Sequence, residues 1–146
     1  SFANIIRAFM RTLFIIPMVL ISLASFPSWG LTMDDLVERG GFYYKKFTDV
    51  PYTGEVSGQG KGSYKKGKRE GYWEHYFDNG QLMMKGHYEN GISNGLWSIY
   101  SKSGKIWETG FYRNGKKDGD WVTYKSDGSI NQKLSGTYKN GLKVSD

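Results

Sequence analysis

The chain has 146 residues, the length of one domain, with 20 Gly, 3 Pro, 5 Trp, 11 Tyr, 8 Phe, no Cys and a net charge of +6. Without cysteine there is no disulfide framework, thiolate zinc site, cysteine nucleophile or lipidated N-terminal cysteine. A 16% aromatic content excludes a disordered polar tail, and the scarcity of proline excludes collagen, which leaves a small, turn-rich β protein whose glycines have positional meaning.

From Leu13 to Ala24 the chain carries no charge, Arg7 and Arg11 precede this run, and Ser, Pro and Gly follow it. This pattern predicts a secretory signal peptide over residues 1–30. The run is shorter than the roughly 20 apolar residues of a membrane span, but an uncleaved membrane anchor or a core helix is the alternative. Cleavage fits after Ala24 or, preferred here, after Gly30, because Thr32-Met33-Asp34-Asp35 begins ordinary soluble composition. Met10 stands where a natural start would, which would make residues 1–9 an upstream misreading. The expected location is therefore the periplasm or cell envelope. Loss of two arginines would lower the net charge from +6 to +4, too mild for a dedicated nucleic-acid binder.

Residues 31–60 read as a β lead-in, and residues 61–146 repeat themselves. Gly62-Ser63-Tyr64 returns as Gly86-His87-Tyr88, Gly110-Phe111-Tyr112 and Gly136-Thr137-Tyr138, at intervals of 24, 24 and 26. Gly67, Gly91, Gly115 and Gly141 follow each tyrosine by three; Gly71, Gly95 and Gly119 come next, then Trp73, Trp97 and Trp121, then Tyr76, Tyr100 and Tyr124. The units run about 62–85, 86–109 and 110–135, with a partial unit at 136–146. Asn-Gly and Asp-Gly pairs supply the positive φ angles of hairpin turns, and the Tyr-, Trp- and Ile-rich runs between them read as strands. One unit is thus a hairpin: a strand Leu82–Tyr88, a wide turn Glu89–Gly95, a strand Leu96–Tyr100 and a turn Ser101–Gly104. Loops this short join antiparallel neighbours. The predicted fold is all-β, an elongated single-layer antiparallel meander of repeated hairpins behind an N-terminal signal or anchor helix.

Alternation puts Trp97 and Tyr100 on opposite faces. Gly86, Gly110 and Gly136 fall in mid-strand, where the expected use of glycine is to let an aromatic ring lie flat across the backbone. Tyr64, Trp73, Tyr76, Tyr88, Trp97, Tyr100, Tyr112, Trp121, Tyr124 and Tyr138 recur by unit and read as structural.

The pattern G-x-Y-x-x-G-x-x-x-G-x-W-x-x-Y-x-x-x-G, from about Gly62 to Val144, resembles the MORN repeat in its bacterial variant form. Leu36 to Gly54 resembles the lead-in that precedes such repeats, and is expected to form two short strands joined through Asp49-Val50-Pro51 that cap the edge of the first repeat. The resemblance implies a hairpin array without catalytic residues, an interaction module, with antitoxin-like and phospholipid-binding members. Antitoxins act where their toxins are made, usually the cytoplasm, so the expected export runs against that role.

No catalytic, metal or cofactor set emerges. His75 and His87 would need Glu74 or Glu89 as a third ligand, and other units place Ile99 and Thr123, or Phe111 and Thr137, at the histidine positions. Gly-x-Ser-x-Gly, G-x-x-x-x-G-K-[ST] and a helix-opening G-x-G-x-x-G do not occur, and the carboxylates are scattered. No cofactor and no enzyme activity are expected. Lys65, Lys66, Lys68 and Arg69 fill the wide turn of the first unit, and Lys116 and Lys117 that of the third. Stacked turns would align them as a basic ridge, either a contact for anionic lipid or envelope polyanions or a solvated edge that resists aggregation. Trp107, whose counterparts are Met83 and Asn131, is not required by the repeat; Met83, Trp107 and Phe111 could share one face and mark a partner site. The expected function is a non-catalytic scaffold for another protein, with lipid or polyanion binding and an antitoxin-like role as alternatives, no nucleic acid, and self-association through an open sheet edge.

Overall fold

Hairpin after hairpin, the chain builds one nine-stranded antiparallel sheet with consecutive strands as neighbours throughout. The computed structural model describes residues 30–146; the predicted signal peptide lies outside these residues, apart from its last position, Gly30. The strands are β1 (Leu36–Arg39), β2 (Phe42–Lys45), β3 (Gly54–Val56), β4 (Gly60–Lys65), β5 (Lys68–Tyr76), β6 (Leu82–Glu89), β7 (Ile92–Tyr100), β8 (Ile106–Arg113), β9 (Lys116–Thr123), β10 (Gly136–Lys139) and β11 (Leu142–Ser145). β1 and β2 form a separate two-stranded sheet, and the array runs from β3 to β11. Among the described residues no helix is long and apolar enough to cross a membrane.

The two sets of turns differ in kind. Lys66-Gly67, Asn90-Gly91, Asn114-Gly115 and Asn140-Gly141 have both residues at positive φ, for example 51° and 83° at Asn90-Gly91. That is the geometry of a two-residue hairpin turn matched to strand twist. The expected wide turn Glu89–Gly95 is therefore corrected: β6 runs to Glu89, β7 already begins at Ile92, and Gly95 (φ 83°) sits inside β7. There the register slips between the Lys85 and His87 pairs, so Gly95 belongs to a bulge that redirects the chain just before Trp97. At the other edge, Gly80, Gly104 and Gly128 close longer turns by donating to Phe77, Ser101 and Lys125 carbonyls at 2.9 Å. Successive tight turns are tied together, since Gly91, Gly115 and Gly141 donate to the carbonyls of Arg69, Ser93 and Lys117 at 2.8–2.9 Å.

A single sheet has no second layer to bury against, and this one buries its own tryptophans. Trp73, Trp97 and Trp121 are 0%, 3% and 1% exposed. Each indole lies over Gly62, Gly86 or Gly110 of the preceding strand, inside the space a Cβ would need. Tyrosines fill the gaps edge-on: Tyr64–Trp73 5.0 Å, Tyr88–Trp97 5.1 Å and Tyr112–Trp121 5.0 Å between ring centroids. Such edge-to-face pairs add about 1 kcal/mol each beyond their burial. Gly136 departs from the expectation drawn for it, because its φ is 143° and it packs on the Ser145 carbonyl and the Lys143 side chain instead of an indole.

The lead-in is also corrected. Its hairpin turns at Gly40-Gly41, both at positive φ, and not through Asp49-Val50-Pro51. Pro51 instead bridges back to Tyr44, and Tyr52 donates to Tyr43. The Gly40-Gly41 pair supplies the positive φ angles of a two-residue turn, whereas proline cannot donate to a ladder. The sheet starts one strand earlier than expected, at β3, whose edge is tied to Leu31 and Thr32. Leu36, Val56, Tyr64 and Trp73 make the buried cluster under this cap, with Met33, Tyr43 and Tyr52 against it.

Candidate functional site: the open face of the sheet

The basic residues of the tight turns do not form one ridge. Arg69 turns onto the tryptophan face, its guanidinium 5.3–5.4 Å from the Tyr43, Trp73 and Tyr88 rings and bonded to the Tyr43 hydroxyl. Lys117, at the equivalent position in the third unit, sits 4.1 Å over Trp121 and pairs with Glu108, a buried carboxylate that also accepts from Thr123. Both sites are cation–aromatic contacts that close the column, and Ser93 occupies the position in the middle unit. Lys68 lies 4.0 Å over Phe42 and donates to the Gly41 carbonyl. Lys65, Lys66 and Lys116 remain exposed. Arg113 and Lys139 converge on Asp118, and their hydrogen bonds, Lys139 first, hold its carboxyl below the ordinary carboxylate value.

The histidines lie on opposite faces. His75 pairs with Met84 on the tryptophan face and stacks on Trp73 at 5.6 Å, whereas His87 pairs with Tyr72 and is exposed. Burial, then the charge of Arg69, pushes the His75 imidazole below its ordinary pKa. Among the described residues no cluster of three His, Asp or Glu is placed to hold a metal ion.

The opposite face is open to solvent. Leu96 pairs with Phe111, 55% and 54% exposed, and Ser98 pairs with Thr109, their hydroxyls 3.3 Å apart. Alternation puts Trp107 (48% exposed) on the same face as Thr109 and Phe111. Met83 and Trp107 are the extra residues of equivalent register shifts: Tyr76 pairs with Leu82 and His75 with Met84, and likewise Tyr100 with Ile106 and Ile99 with Glu108. Met83 is half-buried. Sequence reasoning missed Leu96 and Tyr72, which stand beside the regularly spaced tryptophans and become exposed because those tryptophans take the other face; the strict alternation around Trp97 and Trp73 was the available signal. Tyr76, Tyr100 and Tyr124 also belong to this open face. Tyr72 and Tyr76 both donate to the Glu74 carboxylate, at 3.1 and 2.6 Å. The bond to Glu74 pushes the Tyr76 hydroxyl up to about 12, and the same bond holds Glu74 below its ordinary value.

Residues 69–90 and 93–114 each match the MORN repeat variant, so these two units of the array are MORN repeats. Each match runs from the cation position, Arg69 or Ser93, through the tryptophan strand and far turn to the following tight turn. MORN repeats are typically protein- or membrane-binding modules. No curated protein matches the chain.

Proposed function

We propose that this protein is a non-catalytic scaffold of the cell envelope that holds a protein partner on the open face of β7–β9. The observation that carries this reading is the exposed patch of Leu96, Phe111, Ile106 and Trp107 around the Ser98–Thr109 pair, with Met83 at its margin. Aromatic-rich, charge-poor surfaces of this kind are typical of interface centres. Crosslinking in the native compartment should capture a partner, and L96S/F111S should weaken its binding at least tenfold, as expected for central contacts worth about 1.4 kcal/mol or more. Undiminished capture by this double variant, with its melting temperature unchanged, would refute the reading. N-terminal sequencing of the native chain tests the export on which the envelope location depends; a mature end near Leu31 is expected, and an unprocessed cytoplasmic chain overturns it.

A second reading, attachment to anionic lipid, is supported by exposed Lys65, Lys66 and Lys116 at stacked tight turns. Vesicle binding by this route should vanish near 0.5 M salt, where screening shortens the reach of exposed charges to a few ångströms.

A further inference from the structure

The far edge of the open face carries a strip that the tight turns do not. Tyr76, Tyr100 and Tyr124 hold equivalent positions in the three units, and Met83 and Trp107 fall between them at the register shifts. Equivalent rings therefore recur every two strands, about 10 Å apart. Beside this aromatic row runs a polar one, Glu74, Lys85, Ser98 and Thr109, each paired with the next across the sheet or between hairpins. Lys85 reaches its middle, the ammonium 5.9 Å from the Tyr100 ring, and the far turns that border it carry the exposed Lys102, Lys105 and Lys125, with Lys102 lying 5.9 Å over the Phe77 ring. None of these four lysines forms an ion pair among the described residues. Of the nearby acids, Glu74, within the strip, accepts from the Tyr72 and Tyr76 hydroxyls, Asp127 is bonded into its own turn by Ser129, and Asp78 is bonded by Gln59.

We propose that this strip binds a linear acidic polysaccharide, a chain of uronate-type sugars laid across β5–β9. A pyranose ring presents a flat apolar face of C–H bonds, which the exposed Trp107 and the half-buried Tyr76, Tyr100 and Tyr124 cover, and a polar rim, which donors and acceptors such as Ser98, Thr109 and Glu74 satisfy. A carboxylate on the sugars finds the unpaired ammonium groups of Lys85, Lys102, Lys105 and Lys125, so the charges are complementary. The strip runs across several consecutive strands, which suits an extended polymer better than a single headgroup. The strip shares Trp107, Met83, Ser98 and Thr109 with the patch proposed above but leaves out Leu96 and Phe111, so substitutions at Leu96 and Phe111 separate the two contacts.

The test is titration of the full chain with polygalacturonate, a neutral soluble β-glucan, oligo(dT) and vesicles containing anionic lipid, read by calorimetry. Polygalacturonate should bind, with the neutral polymer at least tenfold weaker. Both Y100A/W107A and K102Q/K105Q/K125Q should lose at least tenfold, whereas L96S/F111S should change nothing. The lysine variant alters exposed turns and tests the proposal even where the aromatic variant fails to fold. Equal binding of the neutral polymer, insensitivity to the lysine variant, or no binding at all overturns the proposal. Tighter binding of oligo(dT) or of vesicles overturns it in favour of a nucleic-acid or membrane contact.

Discussion

At Gly86 and Gly95 the same residue type answers two different physical demands, and substitution separates them. Gly86 has no space for a Cβ because Trp97 lies on it. Gly86→Ala should therefore cost more than about 2 kcal/mol in a denaturant titration, since neither the indole nor the strand can yield without disturbing Tyr88 and Tyr112. Gly95 has room for a Cβ, which would meet only the His87 side chain at 3.9 Å, but its φ is 83°. Gly95→Ala should cost about 1–2 kcal/mol, from left-handed backbone strain alone. His75 gives a pH signature. Its pKa is lowered in the native state by burial and by Arg69, so below the ordinary value of 6.5 the unfolded chain takes up a proton that the folded chain resists. Stability should accordingly fall as pH drops through 6.5 towards the native value. A melting series from pH 7.5 to 5.5 should show this slope, and His75→Gln should flatten it.

The hairpin elements were legible from their glycines and Asn-Gly pairs, but their turns were not fully so. Seven residues from Glu89 to Gly95 read as one wide loop because glycine falls both within the run and at its end. In the structure Asn90-Gly91 completes the reversal alone, and Gly95 serves the bulge. A local pattern names residues that permit positive φ without saying whether the result is a turn or a slipped register. The lead-in shows the same limit, since Gly40-Gly41 and Asp49-Val50-Pro51 both read as breaks and only the first closes a hairpin. The longer interval of the third unit has a visible cause: after β9 the chain folds Asn131 back to the Thr123 carbonyl before entering β10.

As a whole molecule, a single-layer sheet depends on nearest neighbours, because each tryptophan is buried between the tyrosine of the strand before it and that of the strand after it, as Trp73 is between Tyr64 and Tyr88 and Trp97 between Tyr88 and Tyr112. The first unit has no preceding hairpin of its kind, and β1–β2 with Leu36 takes that place. Leu36→Ala should destabilise the chain by about 2–4 kcal/mol and lower its cooperativity, seen as a broadened or split thermal transition. Unchanged melting would mean that the cap contributes little to the array. The all-β meander, the hairpin unit and the assignment of the tryptophans to packing could be read from periodicity, because glycine and aromatic residues in that register have few other physical uses. The fate of the charges could not. Arg69 and Lys117 look like turn lysines and arginines in the chain, yet strand twist and the bulges aim them at the aromatic column, while Lys102, over the Phe77 ring, and Lys105 stay exposed in a far turn. Sequence spacing places a residue on a strand or in a turn, but which charge is neutralised and which stays exposed depends on side chains brought together from different strands, and that only the tertiary structure decides.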